Sequence, residues 1–121
     1  MSYPQHISGR AAEQFACEYL QQQGLKLLQR NYSCKLGEID LIMLSPDSCI
    51  FVEVRFRKNR DFGGALESVT PGKQRRLILT ASHFLQTRPE YAAMPCRFDV
   101  VAVTPEPHSY VADWIQAAFT G

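Results

Sequence analysis

Two apolar stretches on either side of a short turn are the feature that most constrains the fold of this chain. Residues 37–44 and 49–57 are rich in β-branched and large apolar side chains, which favour β-strands. Between them lies Ser45-Pro46-Asp47-Ser48, a turn sequence with proline at a favoured position. The sequence therefore predicts an antiparallel hairpin of two strands, Gly37–Leu44 and Cys49–Arg57.

Centring the turn between Pro46 and Asp47 decides which residues face each other across the hairpin. Side chains alternate between the two faces of a strand. One predicted face is apolar throughout and sets Ile39, Leu41 and Met43 opposite Val54, Val52 and Ile50. The other face sets Glu38 opposite Arg55, Asp40 opposite Glu53, Ile42 opposite Phe51, and Leu44 opposite Cys49. A register shifted by one residue would place apolar residues against charges, so the pattern supports this register.

Asp40 opposite Glu53 is the anomaly in this hairpin, because like charges that face each other across two strands are destabilising. A proton shared by the two carboxyls would offset the repulsion, and so would Arg55, which lies diagonal to Asp40. A divalent cation would also offset it, since carboxylate oxygens suit magnesium or manganese. The plain alternative is a solvated strand face with a Glu38–Arg55 ion pair and no ligand.

The remaining patterns predict a single α/β domain over residues 1–121, with a mixed sheet, helices packed on it and the order α-β-β-β-α-β. Apolar residues at helical spacing predict a first helix at Arg10–Gln23, ended by Gly24. Thr70-Pro71 is typical of a helix start. The other predicted elements are a strand at Leu25–Tyr32, a loop at Lys58–Ser68, a helix to Gln86, a strand at Arg97–Val103 and a short last strand near Tyr110–Ile115.

Basic residues cluster at the start of the second helix, where Lys73, Arg75 and Arg76 stand although helix N-termini favour acidic residues. Both the helix end and these side chains are electropositive, which suits an anion such as phosphate. Spacing predicts that Lys73, Arg76, Thr80 and His83 share a solvent-facing stripe. The loop adds Arg57, Lys58 and Arg60, and basic groups around an acidic pair are what a metal-dependent phosphodiesterase needs. The alternatives are a solvated helix face and an ordinary charged loop.

Composition excludes some classes of protein but does not indicate what this protein binds. The chain has 13 Lys and Arg against 12 Asp and Glu, a net charge of +1, which neither predicts nor excludes nucleic-acid binding. Its longest aliphatic runs are far too short for a membrane span, and its first residues lack the apolar stretch of a secretory signal. The four cysteines form no CxxC motif. We therefore expect a cytoplasmic protein with reduced thiols and no membrane partner.

The motifs resemble the PD-(D/E)xK nuclease signature, with Gly37-Glu38-Ile39-Asp40 followed by Phe51-Val52-Glu53-Val54-Arg55. The fuller ordered set resembles the YraN-type family of small bacterial predicted nucleases and spans nearly the whole chain. Its other pieces are Gly9-Arg10-Ala11-Ala12-Glu13, Arg30-Asn31-Tyr32, Lys73-Gln74-Arg75-Arg76 and Arg97-Phe98-Asp99-Val100-Val101.

The resemblance implies a restriction-endonuclease-like fold, similar to that of Holliday-junction resolvases, and a metal-dependent endonuclease acting on DNA that is branched or damaged. It implies that Asp40 and Glu53 bind Mg²⁺ or Mn²⁺, that Glu13 is an additional acidic ligand, and that Lys73 and Gln74 help to hold nucleic acid. Arg55 departs from the signature, which has lysine there; arginine stays charged and cannot serve as a base, although it can bind the reacting phosphate.

Three readings of this sequence stay open. The first is the endonuclease, in which Asp40, Glu53 and Arg55 are catalytic, Glu38 is a secondary residue, and Lys73, Gln74, Arg76 and the Arg57–Arg60 loop hold the DNA backbone. The second is a nucleic-acid-binding module or partner adaptor that keeps the fold without cleaving. The third is a protein-interaction domain with no nucleic-acid role. A homodimer is left open, and Asp99 either orients the basic helix or caps charges beneath the sheet.

Overall fold

The computed structural model describes residues 9–60 and 62–121 and contains one mixed sheet with helices on both faces. Along the chain the elements are α1 (Gly9–Gln22), β1 (Lys26–Cys34), β2 (Gly37–Leu44), β3 (Cys49–Phe56), α2 (Phe62–Glu67), α3 (Pro71–Thr87), α4 (Pro89–Ala92), β4 (Cys96–Glu106) and β5 (Ser109–Phe119). The strands follow the order β1-β2-β3-β4-β5. Only the β3–β4 pair among them is parallel, and α2, α3 and α4 make its crossover. This architecture confirms the predicted mixed α/β fold and is consistent with a restriction-endonuclease-like fold.

The register predicted for the central hairpin is confirmed over the part of it that forms a ladder. The paired residues are Leu41 with Val52, Ile42 with Phe51, Met43 with Ile50, and Leu44 with Cys49. Beyond Leu41 the ladder is replaced by a different bond, in which the backbone N–H of Val54 donates to Oδ2 of Asp40 over 2.8 Å. A side-chain carboxylate therefore takes the place of a strand carbonyl at the point where the acidic residues begin.

The prediction for Ile39 is wrong, because it does not share a face with Leu41 and Met43. It is buried with Ile42 and Phe51 in the core beneath α3. Ordinary alternation requires an unbroken ladder on both sides of β2, and both sides are irregular here. The β2–β3 ladder has ended, and Asn31 of β1, which in register lies opposite Asp40, has a positive φ of 51°.

Two hydrophobic cores lie on opposite faces of the sheet. The first is covered by α1 and contains the buried residues Ala12, Ala16, Cys17, Leu20, Leu25, Leu41, Met43, Ile50, Val52, Val101 and Val103. The second is covered by α3 and contains Ile39, Ile42, Cys49, Phe51, Val69, Leu77, Ala81, Phe84, Phe98 and Val100. Because these two cores pack α1 and α3 on opposite faces, the sheet holds the two helices at fixed positions on either side of Asp40.

The helix α1 is ended by Gly24 as predicted, with a positive φ of 98° that is typical of a glycine after a helix.

The helix α3 begins as predicted, with the Thr70 side chain accepting from the N–H of Lys73 and Pro71 in the first turn. Its predicted solvent-facing stripe is wrong at Thr80, which is fully buried. Thr80 donates its hydroxyl to the carbonyl of Arg76 over 2.7 Å. A Cβ on Gly37 would lie only 2.9 Å from that hydroxyl oxygen, so glycine lets the start of β2 pack directly on α3.

The segment predicted as a loop after β3 contains the helix α2, so that part of the prediction is wrong. The pair Gly63-Gly64 disfavours a helix by propensity alone. Burial of Ala65 and Val69 against the rest of the fold outweighs this, and helix formation in proteins depends mainly on such packing. The short helix α4 was not predicted, and the strands β4 and β5 are both longer than the sequence predicted. No helix among residues 9–60 and 62–121 has the length and apolar character needed to cross a membrane.

Asp99 is fully buried and ties the last two strands together. Its carboxylate accepts from the indole N–H of Trp114 at 2.8 Å, the backbone N–H of Ala117 at 2.9 Å and Nε of Arg97 at 3.0 Å. Ala117 has a positive φ of 49°, and the β4–β5 register shifts between Phe98 and Val100. Asp99 therefore fixes an irregular strand pairing, and its ion pair with Arg97 agrees with the charge-capping alternative that the sequence left open.

Candidate metal and nucleic-acid site

The predicted acidic residues meet where the β2–β3 ladder ends, between α1 and α3. Asp40 lies in the middle, close enough to Glu13 and Glu53 for the carboxyls to affect one another's pKa. Glu13 comes from the first turns of α1, and the Asn31 side chain is close enough to lower the pKa of its carboxyl. All three carboxyls are half-buried. The structure thus brings together Glu13, Asp40 and Glu53, which the sequence analysis selected from three separate segments.

Burial dominates the electrostatics of these carboxyls. It raises the pKa of Asp40 from 3.8 to about 7, with the charge of Glu53 adding to the rise and the Val54 N–H opposing it. Burial, followed by the charge of Asp40, raises the pKa of Glu13 to about 7. Burial also raises the pKa of Glu53, although Asp40 and Arg55 counteract this. The cluster is therefore poised to take up or release protons, or to accept a cation, near neutral pH.

Arg55 pairs with Glu53 and not with Glu38, so the plain alternative of a Glu38–Arg55 ion pair is wrong. Its Nη1 lies 3.3 Å from Oε2 of Glu53, and its Nε donates to Oγ of Ser68 over 2.9 Å. Ser68 in turn donates to the carbonyl of Ala65 over 2.6 Å. The end of α2 therefore holds the guanidinium against the carboxylates. Glu38 is exposed, and its charge adds to the rise in the pKa of Glu13.

Of the basic residues predicted on α3, Lys73 is close enough to the acidic site for its charge to lower the pKa of Glu53. Gln74 has a structural contact, since its Nε2 donates to the carbonyl of Val69 over 3.0 Å and holds the corner between α2 and α3. Arg76 is exposed, with its Cβ next to the start of β2. Lys73 and Arg76 thus lead away from the carboxylates along one side of the helix.

The three basic residues after β3 have different surroundings. Arg57 extends the β3–β4 pairing, with its N–H donating to the carbonyl of Val103 over 2.8 Å. Arg57 and Lys58 line an open cavity of about 320 Å³ together with Phe56 and Asn59. Arg60 instead binds the buried carboxylate of Asp113 on β5 through Nη2 and Nε, at 2.6 and 3.1 Å.

The carboxyls do not converge on one point. Within the described part of the chain, no group of three or more His, Cys, Asp or Glu side chains has the arrangement that would hold a metal ion. Glu13 approaches Asp40 from the α1 side, whereas Glu53 lies on the α3 side. A pair of carboxylates still fits magnesium or manganese, because Mg²⁺ keeps several waters and is bound by one or two carboxylates plus substrate phosphates. Asp40 and Glu53 are that pair.

Two residues of the site were not selected by sequence reasoning. Asn31 contacts Glu13, and it lay in a motif quoted for the family resemblance but carried no chemical signal by itself. Ser68 binds Arg55, and it lay in the segment predicted as a loop. A serine in a loop gives no sign of its partner, so only the position of α2 identifies it.

Comparison with known proteins identifies the family. The sequence model of the uncharacterised protein family UPF0102 matches residues 12–103. The chain belongs to this family. It is 52% identical over 111 residues to a UPF0102 protein of Nitrosococcus oceani, covering 92% of this chain and 90% of the relative. It is 53% identical over 113 residues to one of Pseudomonas putida (strain GB-1), covering 93% and 92%.

The matched region of this UPF0102 member contains the acidic cluster, Arg55 and the basic start of α3. Family membership confirms the resemblance of the chain to the YraN-type family. The family designation assigns no reaction, so the chemistry has to be argued from the site itself.

Proposed function

We propose that this UPF0102 protein is a metal-dependent endonuclease that hydrolyses phosphodiester bonds in DNA, with branched or damaged DNA as its substrate class. One observation carries the proposal: a half-buried carboxyl pair, Asp40 and Glu53, lies beside two cationic side chains, Arg55 and Lys73. Two acidic groups that repel each other in a partly dry site suit a divalent cation, and cations around them suit a phosphate. The proposed setting is the cytoplasm.

The donors fit Mg²⁺ or Mn²⁺, because both prefer carboxylate and water oxygens. When bound, such an ion lowers the pKa of a water molecule and neutralises charge on the scissile phosphate. The N–H of Val54 fixes one oxygen of Asp40, and Arg55 fixes one oxygen of Glu53. The chain therefore holds both ligand carboxylates in place before a cation arrives, which reduces the cost of ordering them.

Two further residues have distinct proposed roles in the reaction. Arg55 binds a non-bridging oxygen of the phosphate and stabilises the charge that develops there. It does not activate the water, since a guanidinium keeps its proton. The carboxyl of Glu13, with a pKa of about 7, has the affinity for a proton that suits a general base near neutral pH. Glu13 therefore takes the proton of the attacking water in the proposed reaction.

The proposed DNA path follows the cations that the protein itself leaves exposed or only partly buried: Arg57 and Lys58 after β3, and Lys73 and Arg76 in the first turns of α3. Arg60 and Gln74 make contacts within the protein, so their proposed contribution is to hold the loop and the start of α3. A homodimer would place two such sites on the two equivalent strands of a branched substrate.

Calorimetric titration of Mn²⁺ into the wild type, Asp40→Asn and Asp47→Asn, with and without short duplex DNA, tests the proposal. Asp47 is exposed in the β2–β3 turn and is the matched control. We expect binding in the wild type and in Asp47→Asn and its loss in Asp40→Asn. Labelled duplex, single-stranded, flap and four-way-junction DNA then test cleavage, and cleavage by Asp40→Asn at the wild-type rate would contradict the assignment.

A nucleic-acid-binding module that does not cleave is the second candidate, favoured by the position of Arg55. The side chain that replaces the signature lysine is bonded to both Glu53 and Ser68, and it stays protonated at neutral pH and so cannot accept a proton from water. This candidate predicts DNA binding that is insensitive to metal and declines with salt through a few phosphate contacts. Metal-dependent cleavage would exclude it.

A further inference from the structure

Two of the four cysteines begin neighbouring parallel strands and are register partners. Cys49 is the first residue of β3, Cys96 is the first residue of β4, and their Cα atoms are paired. Register partners project from the same face of a sheet. Cys49 lies in the core beneath α3, and Cys96 lines a groove with Ile78 and Leu85 of the same helix. The two thiols therefore lie side by side on the α3 face.

The spacing of the strands suits a covalent link between these thiols. Neighbouring strands lie about 4.7–4.9 Å apart, and disulfides span Cα separations of about 4.4–6.8 Å. The N–H of Cys49 donates to the carbonyl of Pro95 over 2.9 Å, which holds the two strand starts together. Burial, and then the neighbouring Cys96, raises the pKa of Cys49 to about 11, so Cys49 is protonated at neutral pH and the exposed Cys96 is the thiol that reacts first.

The two thiols differ in their access to solvent. Cys49 is fully buried, whereas Cys96 is exposed. Cys17 is buried in the core beneath α1, and Cys34 is half-buried at the end of β1. A dissolved reagent therefore reaches Cys96 directly, and Cys49 is the thiol in register with it. An accessible attacking thiol with a second thiol beside it is the arrangement of a redox-responsive pair.

We propose that Cys96 and Cys49 form a two-thiol redox site that reacts with low-molecular-weight disulfides, of which glutathione disulfide is the test case. The thiolate of Cys96 attacks one sulfur of the reagent, forming a mixed disulfide and releasing one glutathione thiolate. Cys49 then loses its proton to solvent, attacks Sγ of Cys96 and releases the second glutathione thiolate. The protein loses two electrons to form the Cys49–Cys96 disulfide, and glutathione disulfide is reduced to two molecules of glutathione.

The disulfide would close a loop that contains α2, α3 and α4. A link of that kind restricts the unfolded chain and raises the resistance of the folded protein to denaturant. The site lies apart from Asp40 and its neighbours and is independent of the proposed nuclease activity. Oxidation would therefore act on the stability of the β3–β4 pair and its crossover.

Intact-mass and peptide-mapping measurements on the folded full chain, after incubation with glutathione disulfide, test the proposal. For the wild type we expect a Cys49–Cys96 linkage with no glutathione left on either residue. Cys49→Ser lacks the second thiol, so it is expected to accumulate glutathione on Cys96. Cys96→Ser changes an exposed residue and is expected to form neither product at this site. Cys34→Ser is the matched control and is expected to form the linkage as the wild type does.

A urea titration of the reduced and oxidised forms gives a second readout that does not depend on Cys49→Ser folding well. The unfolding midpoint of the wild type is expected to rise on oxidation and to return after reduction, whereas that of Cys96→Ser is expected to stay unchanged. A wild type that keeps glutathione on Cys96, as Cys49→Ser does, would overturn the proposal. So would a linkage that involves Cys34.

Discussion

The half-buried carboxyl of Asp40 makes the stability of the metal-free protein depend on pH in a predictable direction. In the folded protein, burial and the charge of Glu53 raise the pKa of Asp40 from 3.8 to about 7. A carboxyl with a raised pKa binds more protons in the folded state than in the unfolded chain. Its contribution to the free energy of unfolding is therefore complete below about pH 4 and is lost as the pH rises through 7.

The substitution Asp40→Asn removes this titration while keeping an oxygen that can accept the Val54 N–H. One pKa unit corresponds to about 1.4 kcal/mol, so the full rise for Asp40 corresponds to at most about 4 kcal/mol. The part that falls between pH 5 and pH 8 is about 2–3 kcal/mol. We expect the wild type to lose that free energy of unfolding over this range and Asp40→Asn to lose much less.

Urea unfolding followed by fluorescence of the single tryptophan, Trp114, measures this difference from pH 5 to pH 8 in the presence of a chelator. Asp47→Asn is the control, because hydrogen bonds from Ser45 and Ser48 lower the pKa of Asp47, and its loss cannot flatten the profile. Added Mg²⁺ should restore stability at pH 8 in the wild type but not in Asp40→Asn. Parallel pH profiles for the wild type and Asp40→Asn would refute the reasoning.

Three further substitutions test the fold and the proposed chemistry. Asp99→Ala leaves Arg97 without its buried partner and should cost about 3–5 kcal/mol of unfolding free energy in urea; an unchanged midpoint would contradict the role given to Asp99. Gly37→Ala places a Cβ 2.9 Å from the Thr80 hydroxyl and should cost about 1–3 kcal/mol by thermal unfolding. Arg55→Lys restores the signature residue, so the rate of Mn²⁺-dependent cleavage should rise in a single-turnover assay. Loss of cleavage would show that the hydrogen bond from Arg55 to Ser68 contributes more to the cleavage rate than a titratable amine does.

The central hairpin was predictable because the residues that determine its register are close together in the sequence. Alternating apolar residues and the turn at Pro46-Asp47 fix the register, and four ladder pairs agree with it. The meeting of Asp40 with Glu53 follows from that register, since the two side chains remain neighbours even where the ladder stops. Family resemblance then added Glu13, which the hairpin pattern does not contain.

The errors arise where a distant contact overrides a local preference. Buried neighbours stabilise α2 in spite of the Gly63-Gly64 pair, and the approach of Gly37 buries Thr80 on a helix face that spacing alone predicts to be exposed. The function of Asp99 depends on Trp114 and Ala117, far along the chain. No local pattern in the sequence reports such contacts.

The wrong prediction for Ile39 and the geometry of the candidate site have one common origin. Where the β2–β3 ladder ends, the Val54 N–H has no strand carbonyl as its partner and bonds instead to Asp40. The same interruption lets Ile39 turn to the α3 side, while Asp40 lies between Glu13 of α1 and Glu53 of β3. An unbroken ladder would keep Asp40 on the α3 face, away from the helix that carries Glu13. The break in regular alternation is therefore what allows carboxyls from both faces of the sheet to approach one another.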